Sequence, residues 1–268
     1  MDLHALDRLI SRLPVPWSNA LEPFLDGYKM MPQEFARLQA DLCPGSPVSD
    51  TTVSNYIHVM KNTLPSICYN LVAYIDPVNV TCFLQDRSDN PGKHVLQELA
   101  ARPLASHIFW PIHERDGKWS LVHVCLKTRL VSYHTPHPSD SPSSKGAEDA
   151  TGKILQFLDR YYKQSTKDRK PFSEWARHPY RNLYCKGRSG PSIFPAGSHD
   201  SGIWVMLLMR RLPDDDQWWP VGYGVEEEEG YGEVFTAVVG ERMRFRIAAE
   251  LIAGTVNPKI DCIPDWLK

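Results

Sequence analysis

The chain has 268 residues, 42% of them apolar, which suffices for one large domain or two small ones. A formal net charge of −2, with 23% charged residues, excludes a molecule that binds polyanions through its overall charge. No run approaches the roughly 18 apolar residues of a membrane span, and the start "MDLHALDRLISRLP" does not read as a signal peptide. These features suggest an intracellular protein, cytoplasmic or nuclear. The six cysteines are scattered, with no CxxC pair, so neither a zinc site nor a disulfide framework is expected. No cofactor or metal is expected.

Residues 3–13 alternate as a short amphipathic helix ended by Pro14 and Pro16. "VSDTTVSNYIHVMKN" (48–62) is a second helix, with Ser49 or Asp50 as cap and Val53, Tyr56, Ile57 and Met60 on one face. "SICYNLVAYID" and "VTCFLQD" have the β-branched and aromatic content of strands. "KHVLQELAAR" reads as a short helix. "HIFWPIHE" (107–114) and "KWSLVHVCL" (118–126) form a hairpin through "RDG", and "LVSYH" (130–134) is a third strand. Residues 135–152 are rich in Pro, Ser and Gly and read as a mobile loop bordering the site, a candidate lid. Amphipathic or apolar helices follow over 153–164, 201–212 and 242–256. Strands in the middle with helices around them give an α+β class, with a helical extension over 1–44 and one domain over 45–268.

The order of these pieces resembles the ubiquitin-like-protein proteases, the cysteine proteases that process SUMO-type modifiers. The residues that carry the resemblance are "PVSDTTVSNYI", "FWPIHERDGKWSLVHV", "LVSYHT" and "PAGSHDSGIWVMLLMRRL", together with the last helix. The resemblance implies a papain-like, adenain-type fold with 118–126 as a central strand. It also implies where a catalytic site would lie, and there the letters differ. Ser201 stands for the nucleophilic Cys and Lys118 for the His that precedes Trp119. Thr135 (or His134, one residue earlier) stands for the orienting Asp, and Pro195 for the oxyanion Gln. Pro47 replaces one of two Trp residues that line the tunnel for the modifier's tail, while Trp119 keeps the other.

A serine needs a base, and a desolvated lysine can serve as one, so Ser201 and Lys118 are a chemically compatible pair. On that reading Trp119, Thr135, His134, Pro195, His199, Asp200 and Gly202 line the substrate, with Gly202 admitting close approach to the backbone. The chain would then be a repurposed acyl-transfer enzyme passing an acyl or aminoacyl group, an aminoacyl-tRNA being one candidate donor. Three alternatives stand beside it. One is a pseudoprotease that binds a ubiquitin-like modifier or another protein without catalysis. Another is a residual SUMO-type isopeptidase. The third is other cleft chemistry at His113, His123 or His199. A serine that opens a helix is also a common cap, and a lysine after Gly in a hairpin is normally solvated. Residues 160–190 carry nine Lys or Arg against two acids, with six interleaved aromatics. That is the composition of a nucleic-acid surface, formed by Arg160, Lys163, Lys167, Arg169, Lys170, Arg177 and Arg181, unless those aromatics pack in the core.

Overall fold

A computed structural model describes residues 37–38, 40–43, 45–63, 71–85, 92–114, 117–127, 130–134, 142–163, 176–178 and 199–211, and positions 244, 247, 248, 250 and 251 near the C-terminus. Among the described residues five strands form one mixed sheet in sequential order: β1 (Val72–Tyr74), β2 (His107–His113), β3 (Trp119–Cys125), β4 (Leu130–His134) and β5 (Ala176–His178). β2, β3 and β4 pair antiparallel, and β1 and β5 run parallel to their neighbours at the two edges. The β2–β3 hairpin closes through Gly117, whose φ of 77° is open to glycine without a Cβ penalty. Glu114 N–H reaches the Lys118 carbonyl across that turn at 2.8 Å.

Both faces of the sheet are covered, which explains why β3 is buried along its whole length. On one face Val72, Tyr74, Phe109, Trp119 and Leu121 pack with α1 (Asp50–Thr63), α5 (Ser201–Arg211) and the helical positions Ile247, Ala248 and Leu251. On the other, Ile108, Trp110, Val122, Val124 and Tyr133 pack with α2 (Pro77–Leu84), α3 (Lys93–Ala100) and α4 (Pro142–Lys163). Val53, Tyr56, Ile57 and Met60 are buried on α1, as their spacing predicts. Ser49 caps this helix through Thr52 N–H, and Asp41 binds Ser49 and Thr52 in turn.

Three expectations change. Residues 80–84, read as part of a strand, belong to α2. Asp76 accepts Val78 N–H as an N-cap and Pro77 sits in the first turn, and this local start signal outweighs the β-branched composition. Residues 142–152, read as mobile loop, are the first half of α4, in which Ala150, Thr151, Ile154, Leu155 and Leu158 are buried. Residues 135–141 lie outside the described residues. Helical residues before position 44, drawn as an extension, insert Leu38 and Leu42 into the core. The helix over 3–13 lies outside the described residues. No helix among the described residues is long and apolar enough to cross a membrane.

The start of α5 is held by a buried guanidinium. Arg244, 1% exposed, donates from Nε to Asp200 Oδ1 at 2.7 Å. Its terminal nitrogens donate to the carbonyls of Asp41, Cys43 and Ser46 at 2.9, 3.0 and 2.7 Å. Just beyond, Gly202 lies so close to α1 and β3 that a Cβ would fall 2.7 Å from Val48 Cβ and 2.9 Å from Trp119 Cδ1. Two consequences are measurable by urea unfolding. Arg244→Met leaves Asp200 buried without its partner and is expected to destabilise the domain by about 3–5 kcal/mol. Gly202→Ala forces α5 away from Val48 and Trp119 and is expected to cost about 1–3 kcal/mol.

Candidate functional site

α5 directs its N-terminus at the start of β3. Asp200 closes the first turn, its carbonyl accepting Trp204 N–H at 3.0 Å, while its side chain is committed to Arg244. Ser201 follows as the first helical residue and is 2% exposed. Its Oγ accepts the N–H of Trp119 at 3.0 Å. Ser201 therefore does accept a backbone N–H, as a capping serine would, but from β3 and not from its own helix. Among the described residues that is the hydrogen bond in which its hydroxyl takes part.

The structure thus brings Ser201 to the peptide that joins Lys118 to Trp119. The carbonyl of that peptide accepts Glu114 N–H and its N–H is taken by Ser201, so the backbone at position 118 is bonded on both sides. Lys118 itself is half-buried. Glu114 receives Ser120 Oγ–H, and Tyr133 OH lies 3.5 Å from the same carboxylate oxygen.

Trp119, which the resemblance implies lines the substrate, is 0% exposed. Its indole N–H donates to the Val48 carbonyl at 2.9 Å, and Gly202 abuts its edge. His113, its register partner on β2, stacks on it at 4.5 Å between ring centroids with 3° between planes. His113 Nδ1 lies 2.7 Å from Asp50 Oδ1 on α1, and its Nε2 has no hydrogen-bond partner among the described residues. The cleft is therefore packed shut over Ser201, Gly202 and Trp119.

A second polar group lies on the same sheet face. His107 Nδ1 and His123 Nε2 are 3.0 Å apart, and Phe109 stacks on His123 at 4.6 Å. His134 is buried against Trp204 of α5, with centroids 6.2 Å apart. Burial, followed by the neighbouring His107 and His134, pushes His123 well below the usual histidine range. Sequence reading named His123 and His134 separately; the register that places both beside His107 under α5 needs the paired strands. Among the described residues no three His, Cys, Asp or Glu side chains converge as metal ligands.

The remaining expected residues are only partly placed. His199 is half-buried just before α5, and its Nδ1 has no partner among the described residues. Thr135 and Pro195 lie outside the described residues, as do Lys167, Arg169, Lys170 and Arg181. Arg160 is exposed on α4, Lys163 ends that helix, and Arg177 is paired with Val131 through β5. Sequence reading missed Arg244, Asp41 and Glu250. Glu250 is buried, accepting Tyr56 OH and Arg210 at 2.7 Å each. Burial and then the Glu250 charge push the Tyr56 phenol well above its usual value, so it remains a donor.

Neither a known family profile nor a curated protein matches this sequence. Solved structures do match by shape. The SUMO protease Ulp1 with its catalytic cysteine oxidised to a sulfinic acid superposes with a TM-score of 0.56 at 15% identity, over 91% of this chain and 96% of that one. The C-terminal Ulp1 protease domain in complex with Smt3, the yeast ortholog of SUMO, gives 0.55 at 14% identity, over 90% and 95%. The Chaetomium thermophilum Ulp1-like SUMO protease catalytic domain gives 0.53 at 14% identity, over 97% and 92%. The chain has the α+β fold of Ulp1-like SUMO protease domains, with a serine where its sequence resemblance to them implies the nucleophilic cysteine.

Proposed function

We propose that this protein is a non-catalytic protease-fold domain that binds a ubiquitin-like modifier. The observation that carries this reading is the state of Ser201. Its hydroxyl is buried and takes up the N–H of Trp119, which makes it part of the packing between α5 and β3. A nucleophile has to meet a carbonyl carbon and pass its proton to a base. Ser201 is instead shielded, and the family's imidazole base, orienting Asp and oxyanion Gln are all replaced. The scaffold that would present a modifier-binding surface is retained. A solved relative of similar shape is bound to the SUMO ortholog Smt3, which supports the choice of partner class.

The acyl-transfer reading keeps one observation in its favour: α5 aims its N-terminus, with Ser201 first, at the Lys118–Trp119 peptide. In that reading Ser201 Oγ attacks the acyl carbon of an acyl or aminoacyl donor, tRNA-borne or otherwise, and Lys118 takes its proton. Lys118 passes that proton to the departing oxygen or nitrogen of the donor, and an amine or water then takes the acyl group from Ser201. A residual isopeptidase would need the same hydroxyl.

The two readings part on Ser201→Ala. Calorimetry with purified SUMO-type and ubiquitin-type modifiers is expected to show binding by the unsubstituted protein, and no fluorophore release from modifiers bearing a C-terminal fluorogenic amide. Ser201→Ala is expected to keep that affinity while losing about 1–3 kcal/mol of stability, because Trp119 N–H is left buried without an acceptor. Turnover by the unsubstituted protein that disappears in Ser201→Ala would overturn the binding reading in favour of acyl transfer.

A further inference from the structure

The histidines under α5 form a row that the preceding functional reading does not use. β2 and β3 pair so that Phe109 faces His123, and His107 faces Cys125. β3 and β4 pair so that His123 faces Ser132, and Leu121 faces His134. His107, His123 and His134 are therefore diagonal neighbours on one face of three adjacent strands, the face on which α5 packs.

A proton balance follows from the 3.0 Å separation of His107 Nδ1 and His123 Nε2. Such a pair is hydrogen-bonded only while one of the two nitrogens carries a proton. His107 is half-buried, and with a proton on its Nδ1 it donates while His123 Nε2 accepts. A further proton has to go to His123 Nε2. Two N–H groups would then point at each other, and a charge would sit between Phe109, Cys125, His107 and His134. Among the described residues, the charges that bear on His123 are those of His107 and His134, which oppose its protonation. Tyr74 stacks on Phe109, and its hydroxyl donates to the Met209 carbonyl. α5 contributes Trp204, and its Arg210 is held by Glu250.

We propose that the His107–His123–His134 row is an acid-sensitive latch, in which uptake of a proton at His123 releases α5 from the sheet and uncovers Trp119 and Ser201. α5 is the element that transmits the change, because it carries both Trp204, which meets His134, and Ser201 with Gly202, which close over Trp119. The latch adds regulation to the binding site proposed above and rests on that reading for its purpose. Its test uses no partner, so either can fail alone.

The sign follows from the shift in His123. Its affinity for protons is depressed in the closed state, where burial is the leading cause, and returns to the ordinary value of roughly 6.5 once α5 lifts. Closure is therefore fully favoured above that pH and weakens as the pH falls below it. One proton taken up on opening corresponds to about tenfold in the opening equilibrium per pH unit.

The experiment is amide hydrogen exchange of the full chain from pH 7.5 to 4.5, corrected for intrinsic rates and followed in peptides covering α5 and β3. Protection in α5 is expected to fall by up to about tenfold per pH unit below the ordinary histidine value. His123→Phe, which preserves the stacking on Phe109, is expected to abolish that dependence. If His123→Phe does not fold, imidazole NMR of the unsubstituted protein decides. His123 Nε2 should remain unprotonated as long as α5 is protected. The proposal is overturned by equal pH dependence in the parent and His123→Phe, or by a His123 ring that takes up its proton while α5 stays protected.

Discussion

The position of α5 depends on one guanidinium. Arg244 joins three stretches distant in sequence: the carbonyls of Asp41, Cys43 and Ser46, the carboxylate of Asp200, and the C-terminal helical residues that carry the arginine. A buried charge is tolerated when it is paired and well hydrogen-bonded, and here four of the five N–H groups are bonded to oxygens among the described residues. Lysine could not substitute, because its three donors radiate from one atom whereas these acceptors match a planar fork. Asp200 also sits at the start of α5, where a carboxylate is favoured by the helix dipole. The pair therefore fixes both the position of the helix start and its direction. Ser201 meets Trp119 N–H, and Gly202 meets Val48, because Arg244 holds the preceding residue.

The same fixed geometry explains why a hydroxyl at this point becomes structural. Trp119 lies at the start of β3, where its N–H faces no partner on β4, whose described register ends at the Leu121–His134 pair. A buried N–H left without an acceptor costs about 1–3 kcal/mol. Serine at 201 supplies that acceptor. Functional sites commonly carry strain or unsatisfied groups that are compensated elsewhere in the fold. At Ser201 and Trp119 both indole and hydroxyl are satisfied, and the space beside them is filled by Val48 and His113.

The hairpin, the third strand and the apolar face of α1 were legible because period-two and helical spacing are local patterns, and "RDG" marks its own turn. The meeting of position 201 with position 118 was legible only through resemblance, since nothing local links a strand start to a helix start 82 residues later in the chain. α2 was misread because "VTCFL" has strand composition, although Asp76 and Pro77 just before it mark a helix start. The first half of α4 was misread because Pro142, Ser143, Ser144 and Gly146 have loop chemistry; burial from Ala150 onward stabilises the helix that they begin. Arg244 gave no signal, since one arginine among "RMRFR" does not disclose that it is the buried one. The closed cleft was equally hidden, because exposure depends on what packs above a residue and not on its own type.

Closure constrains any function of this face. A modifier's tail cannot lie on Trp119 while His113 covers the indole and Gly202 touches its edge, so recognition in the closed state has to use other surface. Access to the indole requires α5 to move, and the groups resisting that movement are unequal. The Arg244–Asp200 ion pair, 2.7 Å long, anchors the N-terminal end of α5. One turn further along, Trp204 rests against His134, in the row of imidazoles that ends in the hydrogen bond between His123 and His107. The proposed latch acts at that contact and not at the anchor. The combination favours pivoting of α5 about Asp200 over detachment of the whole helix, so that the fold can persist as the cleft opens.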